Sequence, residues 1–118
     1  MTDHQPWHGF DRASLRPQCA HDGDGDVLAE RVVDRATGAL AWVDLVVVPP
    51  GVTIGRHTHG PDEELYVVLA GEATMVVDGE ERVVRTGDVV HNRAFGTHEL
   101  CNRGSSDVRL VVVDVRAG

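Results

Sequence analysis

From Val27 onward the chain alternates between short apolar runs and turn residues. VLAERVVD (27–34) and LAWVDLVVVPPG (40–51) bracket the turn RATG at Arg35 to Gly38, and LYVVLAG (65–71) follows a Gly-Pro-Asp turn. ATMVV (73–77) and RVVR (82–85) flank Asp78-Gly79, and DVVHNRAFG (88–96) and VRLVVVDV (108–115) complete the series. Runs of this kind at intervals of about ten residues predict six to eight strands. Asp78-Gly79 between two valine runs predicts a tight hairpin, because both central positions of a type I′ turn need positive φ. No stretch keeps a 3.6-residue period long enough for a helix, so the expected fold is all-β, a sandwich or barrel with helical content close to nil.

Residues 1–26 differ. They hold Pro6, Pro17, three of the seven His and the polar run HDGDGD (His21 to Asp26), with no sustained period. This is the pattern of an extended arm, loosely ordered unless it docks, ahead of a single domain over 27–118. HDGDGD reads as a solvated turn: a calcium loop needs a bidentate Glu at its twelfth position and flanking helices. Trp7, His8 and Phe10 put two aromatic rings into the arm, where they are expected to cover a sheet edge or a neighbouring subunit.

Composition sharpens this. Twenty-one of the 118 residues are Val and one is Ile, so the core draws on a β-branched residue suited to pleated surfaces. A chain of this length supports one core. The formal net charge is -8, and the 11 basic residues are all Arg and scattered, which argues against nucleic acid and anionic membranes as partners. Cys19 and Cys101 are too few and too far apart for a disulfide framework or a thiolate zinc site. MTDHQPWHGF lacks the basic start and apolar run of a secretion signal, and no stretch reaches the roughly 18 apolar residues of a membrane span, so a cytoplasmic location is expected by default.

The chemistry concentrates at His57, His59 and Glu64. Positions i and i+2 of a strand share a face, so the two imidazoles project together as a ready chelate. Gly60-Pro61-Asp62-Glu63 turns the chain, and Glu64 opens the next run, with Tyr66 and Val68 following it inward on the same parity. His98, after the turn Ala94 to Thr97, offers a third imidazole. Three imidazoles and a carboxylate suit a divalent first-row metal and leave one or two positions for water or substrate.

These residues resemble a known family. GVTIGRHTHGPDEELYVVLAG (Gly51 to Gly71) fills every fixed position of the first cupin motif, G(X)5HXH(X)4E(X)6G. GDVVHNRAFGTHELCN (Gly87 to Asn102) is similar to the second, G(X)5PXG(X)2H(X)3N, with Gly87, His98 and Asn102 in register. Arg93 stands where the motif has Pro, and Phe95 where it has Gly with Gly96 one place late, so a differently shaped turn is expected before His98. The resemblance implies a conical cupin β-barrel, or jelly roll, with a metal (Fe, Mn, Ni or Zn) on His57, His59, Glu64 and His98 inside its mouth.

Tyr66, His91 and Arg93 are further candidates for catalysis. Tyr66 should line the pocket, where its phenol could bind substrate or act as an acid; a wall residue with its hydroxyl at the rim is the favoured reading. His91 and Asn92 end an apolar strand where cupins usually carry apolar residues, and alternation puts one of them inside against the ligand. The irregular turn that follows breaks the parity count and leaves open which. Arg93 could hold a substrate carboxylate or phosphate, or equally a surface acid. Arg56 and Cys101 should face away from the metal. The resulting expectation is a metal-dependent enzyme acting on a small molecule by oxygenase, isomerase, lyase or cyclase chemistry, the rival being a metal-anchored binding or sensing module. Open sheet edges predict a homodimer.

Overall fold

The computed structural model describes residues 5–34 and 38–117, so Arg35 to Thr37 of the expected RATG turn lie outside the described residues. Ten strands and no helix occur among them. They are β1 (Arg16–Gln18), β2 (Val27–Val33), β3 (Leu40–Val48), β4 (Thr53–Thr58), β5 (Glu63–Ala70), β6 (Glu72–Val77), β7 (Glu80–Arg85), β8 (Val89–Asn92), β9 (Thr97–Cys101) and β10 (Val108–Val115). β1-β2-β3-β10-β5-β8 form one sheet and β4-β9-β6-β7 the other, all pairs antiparallel. This is the jelly-roll barrel the sequence predicts. Asp78 and Gly79 make the hairpin between β6 and β7 with φ of 49° and 85°, the two positive angles that a type I′ turn requires.

Alternation decides what lies inside. Glu64, Tyr66 and Val68 of β5, His98 and Leu100 of β9, and Val108, Leu110, Val112 and Asp114 of β10 are all buried, their neighbours less so. Each inward line is apolar for most of its length and turns polar at one end: Val68 and Tyr66 lead to Glu64, Leu100 to His98, Val112 to Asp114, and Val90 to Asn92. Cross-strand register sets those ends side by side. Asp114 pairs with Trp42 on one flank and Glu64 on the other, and Glu64 pairs with Asn92. A polar row therefore crosses the larger sheet at the barrel mouth. The opposite end is tied by Asn102, whose fully buried side chain donates to Val48 O and Ser106 O and accepts from Gly104 N.

The arm is ordered against its own barrel. β1 pairs with β2 at the edge of the larger sheet, and residues 20–24 hydrogen-bond to β4 at the edge of the smaller one. It thus bridges the seam between the two sheets. Phe10 lies under the Arg109 guanidinium, 5.5 Å from ring centroid to carbon, whereas Trp7 is 70% exposed.

Candidate metal centre

Strict alternation from inward-facing Ile54 would turn His57 outward. A β-bulge prevents this: the register slips between Ile54 and His57, so that Ile54 opposes Leu100 while His57 opposes His98. His57 and His59 then share the interior, with ring centroids 5.2 Å apart, and His98 lies 4.2 Å from His57 and 4.8 Å from His59. The loop after β4 is held in place because His59 N donates to Gly96 O and Phe95 N to Gly60 O. Phe95 adopts φ of 60° in the turn before His98, taking up the left-handed conformation that the motif assigns to glycine.

Each imidazole is oriented by a second contact. His57 Nδ1 lies 2.8 Å from Gly55 O and His59 Nδ1 lies 3.2 Å from Asp62 Oδ2. These contacts engage Nδ1 and leave Nε2 of both rings facing the interior. His59 Nε2 is 3.1 Å and His98 Nε2 3.5 Å from Glu64 Oε1. His57 Nε2, His59 Nε2 and Glu64 Oε1 are buried without a hydrogen-bond partner. Buried ring nitrogens and a carboxylate oxygen that face one another without partners are the donor atoms a cation would satisfy. The residues present therefore fit a metal, and the atoms of His57, His59, Glu64 and His98 lie within 4.8 Å of one another.

The surroundings set the charge states. Burial draws His57 down to about 4, keeping its ring neutral and able to ligate. Behind His59, burial and the hydrogen bond with Asp62 push Asp114 up to about 7, so that the protonated Asp114 donates to the Asp62 carboxylate, which is held below its usual range by that bond. Tyr66 is 3% exposed, with its hydroxyl 3.3 Å from His98 Nε2. Its hydroxyl is inside the cluster rather than at the rim, and burial raises its pKa well above the usual range, so the proton stays on the phenol.

The other candidates separate. Asn92 is the inward residue of its pair, 2% exposed, with both amide atoms buried and unpartnered. His91 points outward and binds Glu63 at 2.6 Å, and Arg93 lies on the surface against Asp78 at 3.1 Å. The structure thus corrects the placement of His91 and Arg93 near the ligand: alternation along β8 turns His91 out, and the hairpin carboxylate claims Arg93. Arg56 faces out toward Glu99, and Cys101 lies on the opposite parity from buried Leu100 and Asn102. One residue was missed in the sequence. His21 of the arm stacks on His57 with ring centroids 3.5 Å apart and planes at 9°. Its place in a polar turn-like run carried no periodic signal.

Comparison with known proteins agrees with this geometry. A β-D-galactosidase of Mycobacterium tuberculosis is 33% identical over 103 residues, 86% of this chain and 88% of that protein. The oxalate-binding protein of Thermotoga maritima is 30% identical over 66 residues, 56% of this chain and 54% of that one, so the match spans about half of that relative. Among solved structures, a predicted oxalate decarboxylase of Thermotoga maritima superposes with a TM-score of 0.85 at 21% identity, over 90% of this chain and 95% of that one. A cupin 2 conserved barrel domain protein of Salinispora arenicola gives 0.74 at 25% identity, over 95% and 89%. The cupin domain family model matches residues 44–114, which span the four clustered side chains, and the chain belongs to the cupin family.

Proposed function

We propose that this cupin is a metal-dependent enzyme acting on a small, uncharged, hydroxyl-bearing molecule at His57, His59, Glu64 and His98. The observation that carries this is the pairing of a complete ligand set with Asn92, a buried amide whose donor and acceptor both lack partners. A divalent metal (Fe, Mn, Ni or Zn) on these four residues supplies Lewis-acid polarisation of a bound oxygen. Asn92, beside Glu64 in the polar row, offers one donor and one acceptor to a hydroxyl or carbonyl of the substrate. Tyr66 holds a proton next to His98, which favours isomerase or lyase chemistry, in which a proton must be delivered.

Charge argues against an anionic substrate. Asp44, Asp62 and Glu64 gather at this end beside the protonated Asp114, and Arg31 is already committed to Asp44 at 2.9 and 3.3 Å, its guanidinium 4.0 Å above the Trp42 ring. The match to a β-D-galactosidase over most of both chains supports a sugar-like substrate.

The test begins with elemental analysis of protein purified without chelators. Protein stripped and reloaded with Mn, Fe, Ni or Zn is then incubated with simple aldoses and ketoses in D2O, with C–H exchange and product followed by NMR and oxygen uptake in parallel. Turnover that needs the metal and vanishes in Tyr66→Phe supports the proposal; oxygen uptake would move it to oxygenase chemistry. Saturable ligand binding without turnover would establish the second reading, a binding module, which the oxalate-binding relative favours. Dimerisation belongs to the same proposal, with the edges of β7 and β8 as its surface; a monomer in sedimentation at micromolar concentration would refute it.

A further inference from the structure

The ligands differ in how they are restrained. His59 is held by Asp62, His98 is 1% exposed and flanked by Tyr66, and Glu64 is 5% exposed within its strand. His57 remains half-buried, and its ring makes one hydrogen bond among the described residues, with Gly55 O, which fixes a nitrogen but leaves the ring free to tilt about that contact.

The arm supplies what is missing. Ala20 O accepts from Gly23 N and from Gly55 N, both at 3.0 Å, Asp24 O accepts from Thr53 N at 2.9 Å, and Asp24 N donates to Thr53 Oγ1 at 2.7 Å. These bonds lay residues 20–24 on the bulge that re-aims β4. The approach is so close that a Cβ on Gly55 would overlap the carbonyl oxygen of His21, and one on Gly23 the carbonyl oxygen of Thr53. His21 and Asp22 both take left-handed φ, 50° and 56°, a conformation uncommon outside glycine that His and Asp accept more readily than most residues. It carries the His21 ring face to face onto His57.

We infer that His21 is a positioning residue of the metal centre: the arm lays its imidazole on His57 and holds that ring where Nε2 meets His59, Glu64 and His98. The inference rests on the metal-binding reading above. It makes residues 20–24 part of the site, joined to it through Gly55, whose carbonyl restrains His57 Nδ1 while its amide anchors the arm.

The test uses the full chain carrying His21→Ala or His21→Phe. Co(II) affinity is measured by chelator competition, the ligand-field absorption of bound Co(II) is recorded, and the His57 ring-proton resonances are followed by NMR in metal-free protein. His21→Ala is expected to weaken binding 10–100-fold, as loss of an outer contact to a ligand does, with an altered cobalt spectrum. His21→Phe keeps a flat ring and is expected to restore most of the affinity and the wild-type spectrum. Metal-free melting curves separate any general loss of stability from this effect. Unchanged affinity and spectrum in His21→Ala would overturn the inference, as would a His21→Phe protein no better than His21→Ala. If the wild type takes up no cobalt, the metal reading fails, and the His57 resonances alone decide whether the arm positions that ring.

Discussion

The two ends of the barrel are equally buried and physically opposite. At one end Val48, Val68, Met75, Leu100, Val108 and Leu110 are 0–1% exposed, and every surface they remove from water stabilises the fold, by about 25 cal/mol per Å². At the other, Glu64, Asn92, His98 and Asp114 are 1–5% exposed and surround buried polar atoms with no partner, each costing about 1–3 kcal/mol when left unsatisfied. The same inward lines supply both ends. Stability is built where the lines are apolar, and the site sits where they are not, a division expected when function is carried at stability's expense.

The sharpest way to break this contrast is to remove a ligand. Glu64→Ala should abolish stoichiometric metal while the barrel still folds; unchanged metal content by elemental analysis would remove the site from these residues. Leu100→Ala at the apolar end should do the reverse, losing about 2–5 kcal/mol in denaturant unfolding with metal per folded protein unchanged.

Asn92→Leu crosses the two regimes. Replacing an unpartnered buried amide with an apolar group of similar size should stabilise metal-free protein by about 1–2 kcal/mol, raising Tm by several degrees, while substrate recognition is lost. A lower Tm would show that Asn92 serves the fold instead.

The mouth also predicts a pH signature in metal-free protein. His57 has a folded value of about 4 against its usual 6.5, so between these the unfolded state binds the extra proton and stability rises with pH. Asp114 has a folded value of about 7 against 3.8, so over the same window the folded state binds more protons and stability falls as pH rises. The two oppose each other. Asp114→Asn should uncover the His57 slope, with Tm climbing more steeply from pH 4 to 6.5 than in the wild type; equal slopes would contradict the pairing. The smallest effect concerns the turn before His98. Phe95→Gly should relieve the left-handed φ and add about 1 kcal/mol, measurable as a shifted denaturation midpoint with metal affinity unchanged.

Much of this was legible in the chain. Val-rich runs, Asp78-Gly79 and the spacing of His57, His59 and Glu64 follow from local chemistry, and Tyr66 and Val68 fell inward by counting from Glu64. His91 and Asn92 were undecidable because the turn before His98 carries its glycine one place late, at Gly96, and nothing local shows that Phe95 takes the left-handed φ at the motif's glycine position. Arg93 looked available because nothing local announces Asp78 across the hairpin.

What the sequence by itself determined is therefore the barrel, its tight hairpin and the donor set His57, His59, Glu64 and His98, because alternation, turn chemistry and donor chemistry are properties of adjacent residues. Only the tertiary structure decided that a bulge between Ile54 and His57 brings His57 to the inside, that Asn92 rather than His91 faces the buried His and Glu cluster, and that the arm places His21 on His57. Each of those depends on which segment lies opposite, and contact between segments distant in the chain leaves no period in the sequence to read.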